Sequence, residues 1–100
     1  MAIAVNIAWQ EITPDLYETA RARVRWEEDV ADGLVLHASW FEDGGLRVFD
    51  IWESEGQLSR FIAERIAPVL KGELNVGSDP QVTMSPLHRY FVVAKSGGAA

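Results

Sequence analysis

The segment Leu34–Glu53, LVLHASWFEDGGLRVFDIWE, limits the choice of fold more than any other part of the chain. Two apolar runs flank a short Asp-Gly-Gly turn, which is the pattern of a β-hairpin. If the turn centres on Asp43 and Gly44, the register places His37 opposite Asp50. A slip of one residue would turn Asp50 to the other face of the sheet. The sequence therefore predicts a hairpin that brings an imidazole next to a carboxylate.

Alternation of period two also marks a first strand and a last strand. Apolar residues stand at every second position from Ile3 to Trp9, as in a strand that buries one face. The segment 81–94, QVTMSPLHRYFVVA, is similar but is interrupted at Pro86. Because proline has no N–H for the ladder, we expect this last strand to lie at a sheet edge or to carry a bulge there.

Two segments carry apolar residues at helical spacing. The first begins after Thr13, a good N-cap, and is expected to end in the segment DVADG, where Gly33 is free to take a positive φ. The second begins after Ser54, in the capping-box pattern S-x-x-Q. Pro68 is expected to kink or end this second helix near Ile66, because it removes a backbone donor.

The order of elements, β-α-β-β-α-β, predicts an α+β, ferredoxin-like fold. Right-handed crossovers then give one four-stranded antiparallel sheet in the order 4-1-3-2, with two helices on one face. We assign residues 1–95 to a single domain and residues 96–100 to a flexible C-terminal tail. Since the predicted strands carry apolar residues on both faces, the open face needs a cover, and the simplest cover is a second copy of the chain.

Composition excludes several classes of function. The chain has 15 acidic and 9 basic residues, and its one basic run, 21–25, is followed at once by acidic residues, so no nucleic-acid partner is expected. It has no cysteine, which excludes disulfides and thiolate chemistry. No apolar run approaches the ~20 residues of a membrane span, and the start lacks the basic residues of a signal peptide. We expect a soluble, cytoplasmic protein with no membrane partner.

The run VFDIWES…RFIAERIAPVL, with this strand order and two-sided sheet, resembles the dimeric α/β barrel superfamily, nearest the small antibiotic-biosynthesis monooxygenase-like proteins. The resemblance implies a homodimer through the open sheet face. The superfamily holds cofactor-free monooxygenases, haem-degrading enzymes, isomerases and proteins without known activity. Haem-degrading members resemble the chain at Asn6 and Trp52, but they hold iron with a histidine on the second helix, and this chain has none there. No cofactor is therefore predicted.

Three polar residues are predicted to be catalytic: His37, Asn6 and Asp50. A carboxylate beside an imidazole fixes its tautomer and makes it a usable general base. Asn6 stands between small alanines, which leave room for a ligand if that face meets the helices. Four further residues are predicted to bind a small apolar or aromatic ligand: Trp52, Tyr17, Phe61 and His88.

Each of these residues also has a purely structural interpretation. His37 is then a core histidine satisfied by a neighbouring carboxylate, Tyr17 and Phe61 are core residues, and His88 is a surface residue. A metal site of two histidines and Asp50 would require the histidines, on opposite sheet edges, to meet across a dimer. We predict no metal site.

Two hypotheses for function follow. The first is a cofactor-independent monooxygenase, or a related small-molecule enzyme, acting on an aromatic or polyketide-like substrate in a cavity between sheet and helices. The alternative is a non-catalytic dimeric module that binds a ligand or serves a structural role. An open cavity of roughly a few hundred Å³ supports the enzyme, and a filled one supports the module.

Overall fold

The computed structural model describes residues 1–93. One antiparallel sheet runs in the order β2-β3-β1-β4, where the strands are β1 (Ile3–Trp9), β2 (Leu34–Glu42), β3 (Gly45–Trp52) and β4 (Gln81–Pro86). The predicted ferredoxin-like α+β fold is confirmed, as are the strand order and the position of β4 at an edge. The tail predicted at 96–100 lies outside the described residues.

The β2–β3 hairpin has the predicted register. His37 pairs with Asp50 across the two strands. The turn is tight because Asp43 and Gly44 both take positive φ, 51° and 79°, which matches the twist of the flanking strands. The ladder has one irregularity, at the start of β2. The hairpin therefore fixes, by backbone pairing alone, which side chain stands beside the carboxylate.

The first helix, α1, spans Pro14–Val24 and is shorter than predicted. The Thr13 side chain caps it by accepting a hydrogen bond of 3.2 Å from the backbone N–H of Leu16. It ends because Arg25 adopts a left-handed conformation, with φ 59° and ψ 45°. The predicted end in the segment DVADG is therefore wrong, although Gly33 does take a positive φ of 91° where the chain enters β2.

The second helix, α2, is α-helical over Glu55–Phe61 and continues as two π-helical stretches, Ile62–Ile66 and Pro68–Glu73. Ser54 caps it as predicted, accepting from the N–H of Gln57 at 3.2 Å. Of the two outcomes predicted for Pro68, a kink or an end near Ile66, the end does not occur, because the wider π turn accommodates a proline that has no N–H to donate. Among residues 1–93, no helix is long and apolar enough to span a membrane.

Both helices pack on the face of the sheet formed by every second residue of β1. One core cluster joins Trp9, Leu46 and Val48 of the sheet to Ala20 and Val24 of α1 and to Val69 and Leu70 of the π-helical part. A second, smaller cluster is formed by Val5, Ala31, Trp52 and Leu58. The space between these two clusters is where the candidate site lies.

The helix-free face is apolar on only part of its width. Ala38 pairs with Phe49 on this face, and Trp40 beside them is 43% exposed. The edge strand β4 contributes polar side chains there, those of Gln81, Thr83 and Ser85, all exposed. The prediction that every strand is apolar on both faces is therefore wrong for β4, because its apolar residues alternate onto the helix side.

Candidate functional site

A cavity of about 220 Å³ lies between the sheet and the two helices. Its wall is almost entirely apolar and aromatic, and it is built by residues that include Trp9, Ile12, Trp26, Val48, Leu58 and Phe61. The π-helical stretches contribute Ile62, Ile66 and Leu70. Such a wall suits an apolar ligand, since it offers few partners to a charged or strongly hydrated one.

Asp50 is the one polar or charged residue buried among residues 1–93, with 6% of its surface exposed. Each of its carboxylate oxygens has a donor: His37 Nδ1 lies 2.7 Å from Oδ1, and Trp52 Nε1 donates to Oδ2 at 3.0 Å. Buried carboxylates require such bonds because they have lost their water. The sheet supplies both donors, since Trp52 lies two residues along the same strand face and His37 lies directly opposite.

The carboxylate fixes the protonation of the neutral His37 ring. At 2.7 Å from Asp50 Oδ1, a bare Nδ1 lone pair would face a negative oxygen, so Nδ1 carries the proton and donates it. The neutral imidazole then has its lone pair on Nε2. Nε2 lies 2.9 Å from the Tyr17 hydroxyl, and therefore accepts a hydrogen bond from it.

Tyr17 is held at a second point by Ser39. The Ser39 hydroxyl donates to the Tyr17 oxygen at 2.8 Å, and Tyr17 in turn donates to His37. Ser39 and His37 lie two residues apart on β2, so both face the helices. The result is a continuous hydrogen-bonded chain from Ser39 through Tyr17 and His37 to Asp50, which we call the relay.

Aromatic rings pack around the relay. The Tyr17 and His37 rings are nearly parallel, with an interplanar angle of 7° and centroids 6.3 Å apart. The Trp26 ring meets both edge-on, at 5.4 Å from Tyr17 and 5.5 Å from His37. Burial raises the pKa of the Tyr17 phenol above its ordinary value, although the hydrogen bond from Ser39 acts in the opposite direction. Tyr17 is therefore a neutral phenol at neutral pH.

Five of the seven predicted site residues line this cavity: His37, Asp50, Trp52, Tyr17 and Phe61. Trp52 is a core residue that also lines the cavity. It is 1% exposed and belongs to the core, and its ring lies 5.4 Å from that of Phe61. Its N–H at the same time holds Asp50 in place.

Asn6 and His88 do not lie in the cavity. Asn6 pairs with Phe49 and Thr83 on the helix-free face, where it borders a separate shallow pocket with Trp40. The prediction that Asn6 shares a cavity with Trp52 is wrong, because the adjacent residues Val5 and Ile7, and not Asn6 itself, face the helices. His88 follows the end of β4 and is exposed.

Sequence reasoning missed Ser39 and Trp26. The position of Ser39 could have been predicted, since it is two residues from His37 on a predicted strand and must share its face. Trp26 lies past the left-handed Arg25 that ends α1, outside the helical spacing that the sequence shows. Its indole N–H is the one buried side-chain polar atom without a hydrogen-bond partner among residues 1–93.

One end of the cavity is formed by the loop that precedes β4. The Glu11 carboxylate binds this loop, accepting from the N–H of Gly77 at 3.2 Å and from the N–H of Ser78 at 2.8 Å. Lys71 donates to the Ser78 carbonyl at 3.0 Å and to Asp79 at 2.6 Å. Since Lys71 and Asp79 are exposed yet line the cavity, the pinned loop lies where the cavity meets solvent.

Metal ligation has no support within a single described chain. Among residues 1–93, no group of three or more histidines or carboxylates lies close enough together to hold an ion. The alternative site of His37, Asp50 and His88 therefore does not form within one chain. The relay uses both nitrogens of His37 for hydrogen bonds to its neighbours.

Comparison with known proteins finds similar proteins by three-dimensional structure and not by sequence. No protein-family model matches the chain, and no curated protein matches it by sequence. A protein of unknown function from Nitrosomonas europaea, NE2512, has a similar solved structure, with a TM-score of 0.70, 15% identity, and 94% of this chain and 96% of that chain covered.

Two other similar structures carry a described activity. SnoaB, a cofactor-independent oxygenase from Streptomyces nogalater, has a TM-score of 0.62 at 17% identity, with 89% of this chain and 94% of that chain covered. The monooxygenase of the gene ActVA-Orf6 from Streptomyces coelicolor, solved with nanaomycin D, has a TM-score of 0.64 at 15% identity, with 93% of each chain covered. At these identities the similarity concerns the fold, and it confirms the resemblance to the antibiotic-biosynthesis monooxygenase fold.

The hydrogen bonds of Asp50 predict a large effect of a small substitution. Asp50→Asn retains the shape but leaves one donor, from His37 or Trp52, without an acceptor. Because hydrogen bonds to charged groups contribute about 1.5–3 kcal/mol each, we expect a loss of about 2 kcal/mol in the free energy of unfolding by urea denaturation. The matched change Asp15→Asn, in the exposed first turn of α1, is expected to cost about 1 kcal/mol or less. Equal losses would contradict this role of Asp50.

The contacts of Glu11 predict a dependence on pH. Its hydrogen bonds to Ser78, then to Gly77, lower the pKa of the carboxyl below its usual value of 4.5. A lowered pKa in the folded state means stabilisation that is present above pH 4.5 and is lost as pH falls through the folded-state value. Glu11→Gln should therefore lower the thermal midpoint at pH 7, and this effect should become smaller as the pH falls below 4.5. The control Glu53→Gln should shift neither midpoint, and a Glu11→Gln effect that stays constant as the pH falls from 7 into the acid range would refute the assignment.

Proposed function

We propose that the chain is a small-molecule enzyme of the cofactor-independent oxygenase type, acting on an aromatic or polyketide-like substrate in the cavity. The observation that carries the proposal is the relay. It places an imidazole bonded to a buried carboxylate, with its phenol partner, in the wall of a cavity that is otherwise apolar. A site that only packed the core would have no need of a desolvated charge there, because an apolar side chain of equal volume is as stable.

The wall suggests the size and chemistry of the substrate. Apolar and aromatic side chains favour a flat ring system without a formal charge. The cavity of about 220 Å³ lies below the ≈300–1,000 Å³ of drug-sized sites, so one or two rings fit it better than three or four.

The proposed reaction begins with removal of a proton from a phenolic O–H or an activated C–H by the relay. Asp50 stabilises the positive charge that develops on His37, which makes the proton transfer favourable. The resulting electron-rich anion reacts directly with O₂. For 1-naphthol the balance is one O₂ taken up, with one oxygen atom entering the ring to give 1,4-naphthoquinone and the other leaving as water. The fold shared with SnoaB, described as a cofactor-independent oxygenase, supports this class.

A non-catalytic module is the second candidate. It is favoured by the fact that the hydrogen bonds of Asp50 and His37 are all made within the protein, as in a satisfied structural network. Under this alternative the cavity holds a ligand without reaction, or holds none. The two candidates differ in whether oxygen is consumed.

Oxygen uptake with 1-naphthol tests the proposal. The wild type should consume O₂ and form 1,4-naphthoquinone, and His37→Gln should lower kcat by about 10²–10⁴, the usual contribution of a general base. His88→Gln, the matched change in the other histidine, should leave kcat unchanged, because His88 lies outside the cavity. Naphthol binding by calorimetry without oxygen uptake would favour the binding module, and a rate unaffected by His37→Gln would contradict the relay.

We also propose that the chain forms a homodimer through the helix-free face of the sheet. Trp40, Ala38 and Phe49 give the β2–β3 half of this face an apolar surface, and Trp40 is 43% exposed. A symmetric dimer buries the same patch on both chains.

Light scattering at micromolar concentration tests the dimer. The wild type should show twice the mass of one chain. Trp40→Glu should shift it toward one chain without loss of folded circular dichroism, since Trp40 is not part of either core cluster. A wild type with the mass of a single chain would contradict the dimer, and so would Trp40→Glu remaining fully dimeric.

A further inference from the structure

The relay leaves one question open under the proposed function, namely which of its atoms meets the substrate. His37 is the obvious base, but both of its nitrogens are engaged. Nδ1 donates to Asp50 at 2.7 Å, and Nε2 accepts from Tyr17 at 2.9 Å. A substrate proton could reach Nε2 only if the Tyr17 hydroxyl first moved away. In this structure the lone pair of His37 is therefore covered by Tyr17.

The Tyr17 oxygen has the capacity that His37 lacks. A phenol oxygen donates one hydrogen bond and accepts up to two. The donated bond goes to His37, and Ser39 fills one acceptor position at 2.8 Å. One acceptor position is left on an oxygen whose residue lines the cavity. Ser39 also fixes the direction of the chain, because its donation orients the Tyr17 proton toward His37.

We propose that Tyr17 is the catalytic residue that takes the proton from the substrate, while its own proton passes to His37. This inference rests on the proposed function, and it changes the role of His37 from the group that touches the substrate to the group that receives the proton behind Tyr17. The substrate class it implies is a neutral phenol or enolisable ketone whose acidic hydrogen reaches the Tyr17 oxygen.

The step balances in atoms and charge. The bond from hydrogen to the substrate oxygen or carbon breaks, its electron pair stays on the substrate, and a new O–H bond forms on Tyr17. At the same time the original Tyr17 O–H breaks and an N–H bond forms at His37 Nε2. Tyr17 is neutral before and after. The substrate becomes an anion, His37 becomes an imidazolium, and the carboxylate of Asp50, 2.7 Å away, remains charged.

The surroundings of Tyr17 favour a relay over a free phenolate. Burial raises the Tyr17 pKa, and the carboxylates of Glu27 and Glu18 raise it further, while Ser39 and the guanidinium of Arg21 lower it. A phenolate waiting for the substrate is therefore disfavoured. A phenol that gains one proton as it loses another never carries the charge, which settles instead on the imidazole beside Asp50.

The test uses 4-nitrophenol, a single-ring phenol whose ionised form absorbs visible light. In the wild type, the bound probe should be ionised at a pH at which the free probe is neutral, because the relay takes its proton. Tyr17→Phe keeps the aromatic ring and should keep binding, measured by calorimetry. In this variant the ratio of ionised to neutral bound probe should fall at least about tenfold, which corresponds to a rise of one unit in the pKa of the probe. Tyr90→Phe, an exposed tyrosine outside the cavity, is the matched control and should behave as the wild type.

A second variant separates the roles of the two residues. His37→Gln removes the final proton acceptor and should also leave the bound probe neutral. If the bound probe is neutral in both Tyr17→Phe and His37→Gln, the relay is supported. If Tyr17→Phe still ionises the probe and His37→Gln does not, His37 acts directly and the inference is overturned. Binding without ionisation in the wild type would overturn the proton transfer and leave the ligand site standing. No binding of either 4-nitrophenol or 1-naphthol would overturn the proposed function and this inference with it.

Discussion

A carboxylate placed among apolar side chains must have a donor at each oxygen, and Asp50 meets this requirement within its own sheet. The N–H of Trp52 comes from the same strand face, and the N–H of His37 comes from the paired strand. Each hydrogen bond to such a charged group contributes about 1.5–3 kcal/mol. The positions of the indole, the imidazole and, through the imidazole, the Tyr17 phenol all depend on this one charge. The polar part of the cavity is thus organised by the backbone register of a hairpin.

The second helix provides the rest of the site. Its π-helical stretches, Ile62–Ile66 and Pro68–Glu73, pass over the sheet where the two core clusters meet. A π turn is wider than an α turn and is common at functional sites. Here it turns Ile62, Ile66 and Leu70 toward the sheet as one wall of the cavity. Arg65 ties this stretch to the first helix by donating to the Val24 carbonyl at 2.8 Å.

Much of the fold was predictable because it depends on local patterns. The hairpin turn, the caps at Thr13 and Ser54, and the pairing of His37 with Asp50 all follow from short segments of sequence. The face of β1 was harder, because small residues around Asn6 suggested space for a ligand when they in fact lie on the helix-free side. Alternation shows that two faces differ, but it does not say which face meets the helices.

The relay was only half predictable, for a related reason. Its strand members, His37 and Asp50, follow from register, whereas Tyr17 reaches them from a helix whose rotation and end depend on tertiary packing. The left-handed conformation of Arg25, which ends α1 and directs Trp26 inward, has no signal in the sequence. The π-helical winding after Phe61 has none either, since a proline in that position ordinarily predicts a break.

The account depends on His37 being a neutral imidazole with its proton on Nδ1, toward Asp50, and its lone pair on Nε2, toward Tyr17. Nitrogen-15 NMR of the histidine rings measures this tautomer directly, and the His88→Gln variant leaves His37 as the single histidine in the spectrum. Near pH 8 we expect the chemical shift of a protonated nitrogen at Nδ1 and that of an unprotonated nitrogen at Nε2. Both chemical shifts should change little with temperature. A proton on Nε2 would place a donor against Tyr17 and would contradict the hydrogen-bonded chain on which the proposed chemistry is built.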